Sequence, residues 1–132
     1  DKPYRYSNIT MHPTKFSAAL LKIKSKVEKC ALLEFTSCLL NLYRDGQDSN
    51  GWHADNEKEL GKDPVIASVS FGADRLFHMK HRHDKSHKLK LKLENGSLLI
   101  MRGSTQQYWL HQIPKTKKKV GERINLTFRI IK

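Results

Sequence analysis

Two histidines and one aspartate are the residues of this sequence best suited to hold a metal ion. His53 and Asp55 lie two positions apart in GWHAD, so on an extended backbone both side chains point the same way. His111 comes much later, directly after the apolar residues of YWLH. Each has an alternative interpretation: His53 and Asp55 could be polar residues of an exposed loop, and His111 could be a hydrogen-bonded core histidine.

If the three residues converge, they form a set of two histidines and one carboxylate that leaves three positions of an octahedral ion open. Non-haem Fe(II) oxygenases use this set because a co-substrate and O₂ must bind the same ion. A zinc hydrolase is a second interpretation, although zinc prefers tetrahedral sites. The histidine-rich stretch RLFHMKHRHDKSHK is interpreted instead as a basic surface, because its positive charge opposes metal binding.

The segment RINLTFR, residues 123–129, places polar residues on one face of a predicted strand and apolar residues on the other. The polar residues are Arg123, Asn125, Thr127 and Arg129. They are either solvated or directed inward at an anion, because a buried arginine needs an anionic partner. 2-Oxoglutarate fits an iron oxygenase, since one carboxylate can chelate the metal while the other pairs with an arginine.

A second predicted strand, CLLNLYR, supports an inward polar face. Asn41 and Tyr43 share one face of this strand, whereas Leu40 and Leu42 share the other. The amide and the phenol can each hydrogen-bond a carboxylate. Two strands with the same division of polar and apolar residues favour a pocket, although either strand alone could present its polar face to solvent.

The chain of 132 residues has a net charge of +12, which favours nucleic acid as a partner. It contains no apolar run long enough to span a membrane, and we expect no membrane partner and a monomer. Its two cysteines, Cys30 and Cys38, fit a reducing, intracellular compartment, cytoplasmic or nuclear. The chain starts at Asp1 without methionine, so we expect an N-terminal truncation.

The hydrophobic pattern predicts one amphipathic helix followed by many short strands. Helical spacing of apolar residues covers residues 13–29, after an extended N-terminal segment. The predicted strands are residues 34–44, 65–71, 75–80, 88–93, 97–101, 108–111 and 123–131. This order predicts a mainly β fold with a flanking helix, either a sandwich or a jelly roll, in a single domain, residues 1–132. Residues 1–34 would form the extended segment and the supporting helix, and residues 35–132 the β core.

Four motifs together resemble the AlkB family of Fe(II)- and 2-oxoglutarate-dependent dioxygenases. They are N-L-Y at 41–43, H-A-D at 53–55, the late His111, and R-I-N-L-T-F-R at 123–129. The segments PVIASVSFGADRLFHM and NGSLLIMRGSTQQYWLHQIP resemble the same family, so that the likeness covers about residues 35–131. The resemblance implies a double-stranded β-helix, which is a jelly roll, and oxidative demethylation of alkylated nucleic-acid bases.

The resemblance also implies roles for the pocket residues. The metal ligands and catalytic residues would be His53, Asp55 and His111. Arg123 would pair with the distal carboxylate of 2-oxoglutarate, helped by Tyr43 and Asn125. Arg129 and Asn41 would serve the end of the co-substrate next to the iron, and Thr127 would be a packing residue.

The expected substrate is an N-alkylated base in DNA, such as 1-methyladenine or 3-methylcytosine, taken out of the base stack. By resemblance, Glu57 would recognise the base edge, although a surface carboxylate is the alternative. Tyr4 and Tyr6 would belong to a nucleotide lid, and Arg75 would lie near the substrate. RNA as the substrate, and a basic jelly roll that binds nucleic acid without catalysis, are the alternative functions.

Overall fold

Ten short β-strands are the main elements of the structure, a computed structural model that describes residues 4–6, 9–11 and 18–132. The strands are β1 (Tyr4–Tyr6), β2 (Ile9–Met11), β3 (Ser37–Tyr43), β4 (Asn50–His53), β5 (Ile66–Gly72), β6 (Arg75–His81), β7 (Lys88–Leu93), β8 (Leu98–Met101), β9 (Trp109–Ile113) and β10 (Arg123–Arg129). Two helices, α1 (Ala18–Ala31) and α2 (Thr105–Tyr108), and a 3₁₀ turn (Lys58–Leu60) complete the described elements.

The strands pair into two antiparallel sheets of four strands and one separate hairpin. Sheet I has the order β3-β10-β5-β8, and sheet II has the order β4-β9-β6-β7. The hairpin pairs β1 with β2. Except for β6 and β7, neighbours in each sheet are not consecutive along the chain, as in a double-stranded β-helix, which confirms the predicted jelly roll.

One apolar cluster holds α1 on the outer face of sheet I. Val27 and Ala31 of the helix pack against Phe35 and against Leu126 and Phe128 of β10. The apolar side chains on that face alternate with the polar ones of β10, which therefore point to the opposite side of the sheet. The solvated face of α1 carries its lysines, as the helical spacing predicts.

A second apolar cluster fills part of the space between the two sheets. Its members are Tyr43, Leu60, Ile66, Phe77, Met79, Leu93, Met101 and Ile113. They come from both sheets, so the sheets pack face to face over this core. The rest of the space between the sheets is lined by polar side chains and forms the site described below.

The observed elements differ from the predicted ones mainly at their ends. Helix α1 continues to Ala31, which is 2% exposed, and the predicted start at residue 13 lies outside the described residues. Leu32 then takes a left-handed conformation with φ 61°, and its N–H still bonds the Glu28 carbonyl. Among the described residues, no helix is both long and apolar enough to cross a membrane.

Two elements near the predicted metal site were not predicted. Residues 45–51 are rich in Asp, Asn and Gly, which favour turns, but Asn50 and Gly51 begin β4, which pairs with β9. The final residue of that strand is His53. The short helix α2 interrupts RGSTQQYW, so β9 starts at Trp109. Pairing with a neighbouring strand therefore outweighs the turn propensity of Asn and Gly here.

Candidate metal centre and co-substrate pocket

His53, Asp55 and His111 come together on the inner face of sheet II. His53 and His111 are directly opposite each other in the β4–β9 ladder, and their ring centroids lie 4.3 Å apart. Asp55 follows two residues after the end of β4. One ligand atom from each of the three residues lies within 4.8 Å of the other two, so small side-chain rotations suffice to surround one cation.

The hydrogen bonds of the two imidazoles prepare them as ligands. The Nδ1 atom of His53 lies 2.6 Å from the carbonyl oxygen of Gly51. A carbonyl can only accept, so Nδ1 carries a proton, and Nε2 is the ring nitrogen that remains to bind a cation. Burial lowers the pKa of His111 to about 4, with His53 as a further cause, so this ring is neutral at pH 7. Neutral imidazole is the form that binds metals.

The carboxylate of Asp55 is 1% exposed and has one oxygen available for a metal. Its Oδ2 pairs with the Arg129 guanidinium at 3.2 Å. Its Oδ1 is buried and has no hydrogen-bond partner among the described residues. An unsatisfied carboxylate oxygen beside two imidazoles fits a divalent cation, because burial without a partner would be costly.

Gln106 of α2 is a buried residue of the site that the sequence interpretation missed. Its Oε1 accepts a hydrogen bond from the Asp55 backbone N–H at 2.8 Å. The same oxygen lies 3.2 Å from Nε2 of His111. The only signal in the sequence was an uncharged polar residue five positions before a candidate ligand, which is too common to single out.

The polar face of β10 points into the space between the sheets. Arg123, Asn125, Thr127 and Arg129 are all buried, and all four line one pocket with the three metal-site residues. The inward interpretation of this face is therefore confirmed, and the solvated one is wrong. At one end of β10, Arg129 lies beside Asp55. At the other end, Arg123 is paired with Tyr43 of β3.

Arg123 is a buried cation that lacks an anionic partner among the described residues. Its side chain is among the most buried of the protein, with 1% of the residue exposed. Nη2 donates to Ser70 at 2.9 Å, whereas Nε and Nη1 have no hydrogen-bond partner. Burial lowers the pKa of Arg123, because the charged guanidinium is removed from water. A carboxylate placed against Nε and Nη1 would remove that cost.

Tyr43 and Asn41 face the same pocket from β3, as the alternation predicts. Tyr43 lies opposite Arg123 in the ladder, with the guanidinium carbon 4.8 Å from the centre of its ring. Burial raises the pKa of Tyr43, so its hydroxyl keeps its proton and can donate a hydrogen bond. Leu40 and Leu42 point to the other side of the sheet and are exposed.

Asn125 lines the pocket, but its amide is already engaged. Its Nδ2 donates to the Ser68 hydroxyl at 2.6 Å and to the Val69 carbonyl at 3.2 Å. Its Oδ1 accepts from the Thr127 hydroxyl at 2.7 Å. The bonds to Ser68 and Val69 tie β10 to β5. A direct hydrogen bond from the Asn125 amide to a co-substrate would have to replace one of these contacts within the protein.

The residues expected to contact the substrate do not all lie at the pocket. Glu57 precedes the 3₁₀ turn and has one buried oxygen, Oε2, without a hydrogen-bond partner in the described part of the chain. It is not among the pocket-lining residues. Tyr4 and Tyr6 belong to β1, and their side chains lie outside what the structure describes.

Arg75 has a different set of contacts from those expected for a substrate-binding residue. It is 4% exposed, and its guanidinium donates to the carbonyls of Asp45, Asp48 and Pro114. It also lies over the Tyr43 ring at 5.5 Å. Because its donors are engaged in this way, we interpret Arg75 as a residue that holds two loops and Tyr43 in place.

Comparison with known proteins agrees with this geometry. The family model of the 2OG-Fe(II) oxygenase superfamily matches residues 1–129. The chain therefore belongs to this superfamily.

Within it, the similar proteins are AlkB homologues. Alpha-ketoglutarate-dependent dioxygenase alkB homolog 3 of Bos taurus is 43% identical over 138 residues, covering 98% of this chain and 48% of that protein. DNA oxidative demethylase ALKBH2 of Homo sapiens is 38% identical over 135 residues, covering 97% of this chain and 52% of that protein. The chain thus spans about half the length of these relatives.

A solved structure supports the fold independently. OsALKBH1 superimposes with a TM-score of 0.56 at 24% identity, covering 87% of this chain and 61% of that chain. The AlkB resemblance seen in the sequence motifs is confirmed by these matches.

Proposed function

We propose that this chain is the oxygenase part of an Fe(II)- and 2-oxoglutarate-dependent enzyme that removes methyl groups from N-alkylated bases in DNA, such as 1-methyladenine and 3-methylcytosine. The observation that carries the proposal is the buried Arg123. Two of its donor atoms have no hydrogen-bond partner among the described residues, and it lines the same pocket as His53, Asp55 and His111. A dicarboxylate that chelates a metal at one end and needs a cation at the other fits both features.

The chain's own residues have distinct roles in this proposal. His53, Asp55 and His111 would hold Fe(II), which supplies the oxidising chemistry when it is bound with 2-oxoglutarate and O₂. Arg123 would bind the distal carboxylate, and the Tyr43 hydroxyl would donate a second hydrogen bond to it. Asn41, on the pocket-facing side of β3, would bind the end next to the metal.

Arg129 would act at that end through its contact with Asp55, since the ion pair at 3.2 Å fixes the carboxylate. Asn125 would act by holding β10 against β5, because its amide bonds Ser68 and Val69. Both residues keep the pocket in shape before any co-substrate enters. Preformed polar groups bind a co-substrate at a smaller cost in conformational entropy than mobile ones.

Nucleic acid is the proposed partner because the chain is strongly basic and because its relatives include proteins named DNA oxidative demethylase. The outer face of β6 and β7 carries Lys80 opposite Lys88, followed by Lys90 and Lys92, with no acidic residue between them. Like charges directly opposite each other destabilise a sheet, so this face is suited to a polyanion. Lys80 also lies 4.2 Å from the ring centre of the exposed Trp52.

The contribution of this face can be measured directly. Replacing Lys88, Lys90 and Lys92 by glutamine should weaken binding of a single-stranded oligonucleotide. The slope of log K against log salt should fall by about 2, at roughly 0.7 for each phosphate that the protein no longer neutralises. An unchanged slope would show that the phosphates lie elsewhere, for example against the lysines of residues 115–119.

We also propose that the protein acts inside the cell and as a monomer.

The enzymatic proposal is tested with oligonucleotides that contain 1-methyladenine or 3-methylcytosine, as DNA and as RNA, single- and double-stranded. We expect formaldehyde and succinate in equal amounts, with Fe(II) and 2-oxoglutarate both required. His111→Gln should abolish turnover, and the matched change His87→Gln, at an exposed histidine, should not. Turnover with zinc and without 2-oxoglutarate would instead show a hydrolase, and oligonucleotide binding without any turnover would show a binding module.

A further inference from the structure

A buried amide lies between two of the proposed metal ligands. Gln106 is 2% exposed although it belongs to a helix of only four residues. Its Oε1 contacts the backbone N–H of Asp55 and the Nε2 atom of His111, at 2.8 and 3.2 Å. Its Nε2 contacts only the sulfur of Met101, at 3.4 Å, within the described residues. The strong hydrogen bonds of this side chain are therefore made by one atom, to the two ligand residues.

The network fixes where the proton of His111 lies. The Asp55 backbone N–H can only donate, so the side-chain atom that faces it must be the oxygen of Gln106 and not its nitrogen. That oxygen can only accept, so the Nε2 atom of His111 must carry the proton. The lone pair of the neutral ring is then on Nδ1. The glutamine oxygen thus selects one of the two tautomers of His111.

We propose that Gln106 is a positioning residue, which holds the Asp55 backbone and the His111 ring in the arrangement that one metal ion requires. The two ligands belong to segments far apart in the chain, one after β4 and one in β9. Gln106, in α2 directly before β9, joins the His111 segment to Asp55, which is 51 residues earlier. A side chain that only filled space could be apolar, because a buried amide is costly unless its hydrogen bonds are made. In many metal sites, hydrogen bonds from neighbouring groups orient the residues that bind the metal.

The inference rests on the proposed metal centre and not on the proposed substrate. Gln106→Met keeps the length of an unbranched side chain and removes the oxygen. Gln106→Glu keeps an oxygen acceptor at the same position. Gln107→Met is the matched control, because Gln107 is the neighbouring glutamine, is exposed, and contacts only the Tyr108 hydroxyl among the described side chains, at 3.2 Å.

The dissociation constants of Mn(II) and Co(II) should be measured on the metal-free protein without any nucleic acid. We expect Gln106→Met to weaken binding by roughly 10- to 100-fold and to alter the visible absorption spectrum of bound Co(II). Gln106→Glu should restore most of the affinity, and Gln107→Met should match the unchanged protein. The melting temperature of the metal-free Gln106→Met variant should stay within a few degrees of the original.

Three results would overturn the inference. One is an unchanged affinity and spectrum in Gln106→Met. Another is an equal loss of affinity in Gln107→Met. The third is a metal-free Gln106→Met protein that no longer folds, since the residue would then support the fold and not the ligands. A protein that binds metal as expected but fails to demethylate oligonucleotides would refute the proposed function and leave this inference standing.

Discussion

Replacing Arg123 by methionine should have opposite effects on the ligand-free protein and on its affinity for 2-oxoglutarate. The guanidinium is 1% exposed, and its Nε and Nη1 atoms lack partners in the described part of the chain. Without a co-substrate, the charge is buried and incompletely paired, which costs stability. In the proposed function, the same charge would be the main group that binds the distal carboxylate of the co-substrate.

The magnitude follows from the contacts that change. Replacing buried charged groups by well-packed apolar ones has stabilised other proteins by about 1–4 kcal/mol. The variant also loses the bond to Ser70 and the stacking on the Tyr43 ring, which offset part of that gain. We therefore expect the free energy of unfolding to rise by roughly 1–2 kcal/mol. Loss of one partner of a buried ion pair costs about 2–5 kcal/mol, so the affinity for 2-oxoglutarate should fall by a factor of roughly 30 to several thousand.

Two measurements on the same variant decide the matter. Urea unfolding of the ligand-free protein gives the change in stability, and calorimetric titration with 2-oxoglutarate in the presence of Mn(II) gives the affinity. Arg44→Met is the matched control, because the Arg44 side chain is 74% exposed and pairs with Asp48 on the surface. A less stable Arg123→Met protein that still binds 2-oxoglutarate normally would refute the reasoning, since Arg123 would then be a structural residue.

Three further predictions follow from burial and hydrogen bonding. Because His111 has a folded pKa of about 4 against an ordinary 6.5, the unfolded chain binds its proton first. The free energy of unfolding of the metal-free protein should therefore fall between about pH 6.5 and pH 4, by up to roughly 3 kcal/mol. Urea unfolding across that range should show a smaller fall for His111→Gln. Burial raises the pKa of Cys38 to about 12, so a thiol reagent should modify only the exposed Cys30 in the native protein and both cysteines in urea. Modification of both in the native state would contradict the burial of Cys38. Arg75→Met should lower the free energy of unfolding by at least about 2 kcal/mol, because it leaves three carbonyls without their donor. It should leave the affinity for a single-stranded oligonucleotide unchanged, and a selective loss of that affinity would restore Arg75 as a substrate contact.

The sequence predicted those parts of the site that lie on strands with polar residues on one face and apolar residues on the other. On β10 the polar and apolar residues alternate strictly, so the face that holds Arg123 also holds Arg129. On β3 the period of two places Asn41 on the same face as Tyr43. Alternation alone left open which face is buried. The structure decides it, because Leu40 and Leu42 are exposed while Arg123 is buried.

Other parts depend on contacts between distant segments and leave little trace in the local pattern. Gln106 is recognisable only when Asp55 and His111 are already adjacent. Arg75 carries the charge expected of a phosphate contact, yet its donors go to three backbone carbonyls. Ser68 and Ser70 alternate with apolar residues on β5 and line the inner face, a pattern from which their bonds to Asn125 and Arg123 could have been inferred.

The ladder between β4 and β9 shifts by one residue between Asn50 and His53. Since neighbouring strand residues point to opposite faces, this irregularity decides that His53 faces His111 while the adjacent Trp52 is on the solvent side. Deleting one residue there would exchange the two rings. The shortened protein would still contain the H-x-D motif in its sequence. It would nevertheless direct the indole of Trp52 into the pocket and the imidazole of His53 towards water. Counting motifs in a genome would therefore overestimate the number of competent oxygenases wherever this offset has been lost.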